Sequence, residues 1–492
     1  MTERLRFGTA GLRAPLGEGP LRMNVHTVEL AATAVAKWLP LNSTVVIGRD
    51  ARHGSEDFAN VTARVLVEAG HRPQLFPGPV PTPVVASAVR FSDAAGGVMV
   101  TASHNPATDN GYKVYAADSG QILPDDAAII EATMAALPWP NEVSTALPPD
   151  GELLGEAEVA TYLSAISSDH RSGILIAYTA MHGVGGELFV RALEGAGHRV
   201  VSVPEQHAPD PEFPTAAFPN PEEPGTLDLV MALADAEGAD VVMANDPDAD
   251  RLAVAVKRGA GWERLTGDEI GVLLGWFMIG RTTGDRSVAT TIVSSTLLGR
   301  VAVAAGVKCH HTLTGFKWLA RTSTIEAPLV FAYEEALGYS VLPSIRDKDG
   351  ISAAIVFAEL VAELSESGRT IDDVLEDLHA THGVHLTGQV SARFEGDDSM
   401  TQMTQRMARL RSNPPDAVGG CEVVEIVDYV EGARGLSPSN VLTYHLDGGR
   451  LVIRPSGTEP KIKAYLETVD ADRNVAQNRL KALAVAAAEL LG

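Results

Sequence analysis

Short β-branched runs alternate along this chain with longer stretches whose apolar positions recur every three to four residues. Val45–Gly48, Gly97–Ala102, Ile174–Tyr178, Val200–Val203, Val241–Ala244, Val288–Val293 and Leu329–Ala332 read as strands. Continuous apolar runs of that length suit a sheet covered on both faces. Thr27–Trp38, Phe58–Ala69, Gly186–Ala196 and Thr226–Glu237 carry the helical period between them. Such alternation predicts α/β units with largely parallel sheets, whose ligands collect beyond the carboxyl ends of the strands. Past His379–His385 the pattern changes to strands Leu386–Phe394 and Arg450–Ile453, then an amphipathic helix from Ala471. A smaller α+β unit is expected there.

A chain of 492 residues is too long for one hydrophobic core. The proline-rich Pro138–Pro149, the polar Arg281–Arg286 and the segment His379–His385 divide it into expected domains 1–150, 151–283, 284–382 and 383–492. Pro204–Pro224 is a long proline-dense loop inside the second, and loops of that length are functional or disordered. The most apolar helical stretch, Ile270–Gly280, is too short to cross a bilayer. Met1–Gly8 has charges and no apolar signal region. A net charge of −24 argues against nucleic acid or an anionic membrane as partner, while leaving room for a small anionic substrate in a local basic cluster. Cys309 and Cys421 are the only cysteines, so no disulfide framework is implied and a cytoplasmic location fits.

Three polar motifs begin where a strand stops. Thr101-Ala-Ser-His-Asn-Pro106 presents Ser103 on a tight loop before a proline, where a hydroxyl is accessible for nucleophilic work. The same residue types also make ordinary turns. His104 does not turn the segment into a hydrolase motif, since no Gly-x-Ser-x-Gly elbow surrounds it. Lys113 follows an Asp109-Asn-Gly turn and can return toward the serine. Asp246-Pro-Asp-Ala-Asp-Arg251 places three carboxylates at alternate positions, a set that suits a hard cation such as Mg2+. A calcium loop of the EF-hand type fails, because Arg251 stands where glycine is needed and Lys257 where glutamate is.

Arg454-Pro-Ser-Gly-Thr458, with Lys461 and Lys463 behind it, reads as a phosphate cradle or as a plain Pro-Ser-Gly turn. Glu334-Glu335 reads either as a hydroxyl-binding pair or as a helix N-terminus answering the macrodipole. Arg346-Asp-Lys-Asp-Gly350 is a charged segment close behind, and Phe7–Arg13 is a glycine-rich turn ending in an arginine. His182-Gly-Val-Gly-Gly186 lacks the spacing of a dinucleotide fingerprint.

Taken together, Thr101–Pro106, Asp246–Arg251 and Arg454–Pro460 resemble the signature segments of the α-D-phosphohexomutase superfamily, over nearly the whole chain. The resemblance implies three similar α/β domains with mixed sheets and a C-terminal α+β domain around a central cleft. It implies that Ser103 carries phosphate and that Asp246, Asp248 and Asp250 hold Mg2+ with an oxygen from Ser103. Arg13, His104 and Lys113 become candidates for proton transfer or phosphate stabilisation. Arg251, Lys317 and Glu334 become substrate contacts, Glu334 toward sugar hydroxyls. Arg454, Ser456, Gly457 and Thr458 become the grip on the non-transferring phosphate. The implied reaction is interconversion of glucose 1-phosphate and glucose 6-phosphate, with glucose 1,6-bisphosphate as activator; mannose or pentose phosphates are the alternative substrates. Where relatives often have serine two places after the sugar-binding glutamate, this chain has Ala336, and Gly338-Tyr339 stand where a histidine is frequent. With Thr314-Gly-Phe-Lys317 and Asp347-Lys-Asp-Gly350, this looks closest to the phosphoglucomutase/phosphopentomutase branch.

Overall fold

Apolar runs become buried strands, and each of the first three sheets is assembled in one order. The computed structural model describes residues 3–8, 11–148, 150–168, 173–259, 261–396, 398–456 and 460–492. In the first sheet Arg72–Leu75, Thr44–Arg49 and Gly96–Val100 lie parallel, and Asp109–Ala116 returns antiparallel beside the last of them. In the second, Arg199–Ser202, Leu175–Thr179 and Val241–Ala244 are parallel and Ala253–Arg258 returns. In the third, Lys308–Thr312, Ser287–Thr291 and Leu329–Glu334 are parallel and Gly338–Ser340 returns. The four strands therefore follow the chain order second, first, third, fourth in every case. The expectation of largely parallel sheets holds for the inner strands, while each returning strand makes its sheet mixed.

That shared order has a direct consequence. The loop between the third and fourth strand leaves the carboxyl end of the third, where α/β sheets bind ligands. In the three sheets this loop carries Ser103, the Asp246–Asp250 carboxylates and Glu335–Leu337 respectively. Each also holds a non-glycine residue at positive φ: Ser103 at 51°, Ala249 at 56° and Leu337 at 62°. Backbone strain of this kind persists only where the surroundings over-determine it, and it concentrates at functional loops.

Apolar helices cover the sheets. Gly267–Arg281 is apolar nearly all round, as a helix packed on several sides must be. A Cβ on its Gly271 would stand 2.3 Å from the Tyr333 ring, so only glycine lets the helix approach the third sheet this closely. No helix among the described residues is long and apolar enough to cross a membrane.

The last sheet differs. Val384–Arg393, Lys461–Asp470, Gly449–Pro455, Leu442–Leu446, Cys421–Asp428 and Ala417–Val418 are antiparallel throughout, packed against the helix Arg473–Leu491. Its central strands are buried on both faces over their middle, Ala464–Thr468 consecutively, with Leu451, Ile453 and Leu466 in one apolar cluster and Val452 and Tyr465 in another. Helix Ile371–His382 turns through Gly383, at φ 90°, straight into strand Val384–Arg393. At the first expected break, Glu152–Leu153 pairs with Arg72–Leu75, so the chain beyond Pro138–Pro149 still adds a strand to the first sheet.

Candidate active site

Strand Gly96–Val100 delivers the Thr101–Pro106 loop to the carboxyl edge of the first sheet. The Ser103 N–H donates to Thr101 Oγ1 at 2.9 Å, and its hydroxyl donates to Asp246 Oδ2 at 2.7 Å. His104 Nδ1 stands 3.2 Å from the same hydroxyl. Burial, with Arg251 and Arg13 close by, holds the His104 ring well below its ordinary pKa, so it is neutral. Arg13, on strand Leu12–Pro15, donates to Asn105 Oδ1 at 3.4 Å.

The carboxylates of Asp246, Asp248 and Asp250 converge with ligand oxygens within 4.8 Å of one another, and all three residues are fully buried. Burial pushes Asp246 up to about 8, with Asp248 and Asp250 adding to the rise. Asp248 Oδ1 and Asp250 Oδ1 are buried without a hydrogen-bond partner. Crowded, orphaned, all-oxygen donors are the set that a hard divalent cation satisfies. Among the described residues this is the one such cluster, and it fits Mg2+.

The loop is fixed at both ends. Thr82 donates to Asp248 Oδ2 at 2.7 Å, and the Val184 N–H donates to the Pro247 carbonyl at 2.8 Å. Asn245 Nδ2 donates to the Arg251 carbonyl at 2.6 Å and its Oδ1 accepts from Tyr178 at 2.9 Å. Arg251 pairs through its backbone with Gly338, and the Leu252 N–H donates to the Leu337 carbonyl at 3.1 Å. The aspartate loop of the second sheet and the Glu335–Leu337 loop of the third are thus stitched together by main chain.

Cations answer these carboxylates. Lys113 Nζ donates to Asp248 Oδ2 at 2.7 Å and to Asp250 Oδ2 at 2.9 Å. Burial opposes its charge, but Asp248 and Asp250 outweigh that and raise its pKa. Lys348 Nζ lies 3.3 Å from Asp250 and 4.0 Å from Glu334, and the same balance raises it too. Arg251 Nε is 3.8 Å from Asp246, with Glu222 on its far side at 3.5 Å.

Glu334 ends its strand and pairs with Gly338 across a tight turn, so no helix follows it and the helix-terminus reading is discarded. Glu335 turns the other way, accepting from Thr291 at 3.3 Å and Ser294 at 3.1 Å. Burial, then Glu334 and Asp268, push it up to about 7. Lys317 lies in the short helix Phe316–Leu319 and is pulled down to about 8 by burial and then by Arg454 and Arg321. Arg454 is thus near enough to Lys317 for its charge to be felt there. Arg454 lies one residue before the end of strand Gly449–Pro455, and the Ser456 N–H donates to the Lys461 carbonyl at 2.7 Å. Gly457 and Thr458 lie outside the described residues.

The structure therefore brings together Ser103, His104, Arg13, Lys113, the three aspartates and Arg251, with Glu334 joined through Lys348. Two residues of consequence carry no role in the sequence reading. Lys348 lies in the charged Arg346–Gly350 segment, which resolves into three tasks. Asp347 Oδ2 accepts from Tyr115 at 2.8 Å, Lys348 faces the site, and Asp349 caps the helix Gly350–Glu366. Arg52 lies beneath the serine loop. Asp50-Ala-Arg52 also begins where a strand stops, and that was the available signal.

A nucleophilic hydroxyl against a cation-ready carboxylate triad, ringed by lysine and arginine, defines a phosphoryl-transfer enzyme. The whole chain bears this out. Four models of the phosphoglucomutase/phosphomannomutase family match it in order: alpha/beta/alpha domain I over residues 4–140, II over 158–259, III over 266–382 and the C-terminal domain over 393–479. The chain belongs to that family, the phosphosugar mutases of the α-D-phosphohexomutase superfamily, which are isomerases. It is 40% identical to a Haemophilus influenzae protein named "Probable phosphomannomutase", covering 92% of this chain and 96% of that one. It is 35% identical to a Homo sapiens protein named "Phosphopentomutase", covering 97% and 87%. Among solved structures, a phosphoglucomutase/phosphomannomutase family protein from Burkholderia thailandensis shares the fold at TM-score 0.76 and 19% identity, covering 100% and 98%.

Proposed function

We propose that the enzyme interconverts glucose 1-phosphate and glucose 6-phosphate, with Ser103 phosphorylated at rest and glucose 1,6-bisphosphate as intermediate and activator. The observation that carries this reading is the Ser103 hydroxyl at 2.7 Å from Asp246, with His104 Nδ1 3.2 Å from it and Lys113 on the neighbouring Asp248. In the first transfer the bond from phosphorus to Ser103 Oγ breaks as a bond to the free sugar hydroxyl oxygen forms. The proton of that hydroxyl passes to the neutral His104 ring, whose Nδ1 stands 3.2 Å from Ser103 Oγ, and from it to the serine oxygen freed by the cleavage. The bisphosphate turns end for end, and the other phosphate returns to Ser103 by the same steps reversed.

A divalent cation held by Asp246, Asp248 and Asp250 supplies charge neutralisation at the transferred phosphate. Arg13, Lys113, Arg251 and Lys348 add fixed positive charge that needs no reorganisation during transfer. Arg454 and Ser456, with Gly457 and Thr458, take the resident phosphate, aided by Lys317. Glu334 accepts from a vicinal pair of sugar hydroxyls. Free Cys309 and Cys421 fit a reducing compartment, the cytoplasm.

A second reading, a pentose 1- to 5-phosphate mutase, is favoured by Ala336, which leaves Glu334 without a neighbouring hydroxyl donor in its loop. The name of the human relative points the same way. Parallel assays of glucose, mannose, ribose and glucosamine 1-phosphates, with and without bisphosphate, decide between them. The highest kcat/KM for glucose 1-phosphate supports the proposal; the highest for ribose 1-phosphate replaces it with the second reading. In either case Ser103→Ala loses turnover by roughly 10⁴-fold or more while remaining folded.

A further inference from the structure

One guanidinium holds the serine loop from beneath. Arg52 Nη1 donates to the carbonyls of Pro106, at 2.7 Å, and Asp109, at 3.3 Å. Its Nη2 donates to the carbonyls of Asn105, at 2.6 Å, and of Ser103 itself. Nε stands 3.2 Å from Asp50, and both side chains are 1% exposed. Asp50 is anchored in turn: its N–H donates to the Val100 carbonyl at 2.9 Å, and its Oδ1 accepts from the Arg52 N–H and from Ser55. All donors of the guanidinium face inward, so Arg52 has none to offer a substrate phosphate.

The open face of this guanidinium is covered from another domain. The Phe213 ring lies 4.9 Å from Arg52 Cζ, and Phe213 belongs to the proline-dense Pro204–Pro224 loop of the second unit. The neighbouring Glu212 pairs with His53 at 2.6 Å. That loop also backs the aspartate loop. The Asp210 N–H donates to the His182 carbonyl at 3.0 Å, and the His182 turn bonds Pro247 through Val184. A single segment of the second unit therefore presses on the supports of both the nucleophile and the carboxylate triad.

We infer that Arg52, held between Asp50 and Phe213, is a positioning residue that fixes the attitude of Ser103 toward the triad and so sets the rate of phosphoryl transfer without setting sugar affinity. This rests on Ser103 as the phosphate carrier. Ser103 sits at φ 51°, a conformation that costs free energy and relaxes unless it is held. A loop allowed to relax by about 1 Å loses roughly 10²-fold in rate, because transfer needs donor and acceptor in line. Lysine cannot substitute: its three donors on a point charge do not span four carbonyls as the planar fork does.

The test uses the full enzyme with Arg52→Lys and Phe213→Leu, each compared with wild type and with Ser103→Ala. Arg52→Lys is expected to lower kcat by about 30- to 100-fold, with KM for the sugar phosphate and the Mg2+ requirement within about threefold of wild type. Phe213→Leu keeps an apolar cover, loses the ring face and is expected to lower kcat by about three- to tenfold in the same manner. Intact mass should show Ser103 still phosphorylated in both after incubation with glucose 1,6-bisphosphate. Wild-type kcat in folded Arg52→Lys overturns the inference, as does a rise in KM with kcat unchanged. Should Arg52→Lys fail to fold, Phe213→Leu decides by the same split. A wild-type enzyme without phosphate on Ser103, together with an active Ser103→Ala, overturns the underlying reading instead, whatever Arg52 does.

Discussion

Ser103 Oγ donates to Asp246 Oδ2 at 2.7 Å across the boundary between the first and second sheets. Neither strand order nor chain proximity forces this meeting, since 143 residues separate the two. It is produced by two equivalent loops, each at the carboxyl end of the third strand in its sheet, turned to face one another. A third equivalent loop bears Glu334 at its start, and main-chain bonds from Arg251 and Leu252 tie it to the second.

Excess chelator is expected to abolish turnover, with Mg2+ restoring it better than Ca2+. Mg2+ is small and demands near-ideal octahedral oxygen geometry, whereas Ca2+ takes more ligands at longer distance. Asp248→Asn should raise the Mg2+ concentration needed for half-maximal rate. Full activity in chelator would remove the triad from the reaction.

Lys348→Met should lower kcat/KM by about 100-fold, a loss typical of one preorganised charge at a phosphoryl site. Its ammonium stands between Asp250 at 3.3 Å and Glu334 at 4.0 Å, so it links the carboxylate triad to the third sheet's loop. Lys348→Arg keeps the charge and should retain more activity than Lys348→Met. Equal rates for the two variants would reduce Lys348 to a filler of space.

The free enzyme should lose kcat/KM as pH rises through about 8. Burial and then Arg454 pull Lys317 down to about 8, so it is cationic below that value and neutral above it. A neutral Lys317 contributes less to phosphate binding, and the loss falls on the alkaline side. Because kcat/KM reports the free enzyme, its profile is the one to measure. Lys317→Arg should move this limb to higher pH; an unchanged limb assigns it to another group.

Glu467→Gln should destabilise the enzyme by about 3 kcal/mol near neutral pH, since it leaves buried partners uncompensated. Glu467 accepts from Ser295 at 2.9 Å, from Thr296 N–H at 2.7 Å and from Arg450 Nε at 2.7 Å, joining the last unit to the third. Burial opposes its ionisation, but Arg450 and His385 outweigh this and hold the carboxyl below its usual range. A depressed carboxylate stabilises the fold above its unfolded value near 4.3 and loses that contribution as pH falls below it. Thermal melts of wild type and variant should therefore differ most at pH 7 and converge in acid.

The chemistry was legible along the chain because each chemical task is carried out by one short loop. Three carboxylates on alternate residues, or a serine before His-Asn-Pro, lie within a few residues of each other whatever the rest of the molecule does. Strands were legible for a related reason: a run buried on both faces must be apolar throughout, and Val241–Ala244 is read and found with the same bounds. Strand order was not legible. That the first three sheets share one order, placing three unrelated loops in equivalent positions, depends on pairings between strands far apart in sequence. The destinations of long charged side chains were likewise decided by packing. Nothing around Asp347-Lys-Asp349 says that the lysine faces Asp250 while the flanking aspartates hold a tyrosine and cap a helix. Nothing beside Arg52 says that four carbonyls await it. Sequence determines which charges exist and which residues must be buried. Only the folded chain decides which charge meets which, because a buried ion needs its partner within a few ångströms and that distance is set by the whole packing.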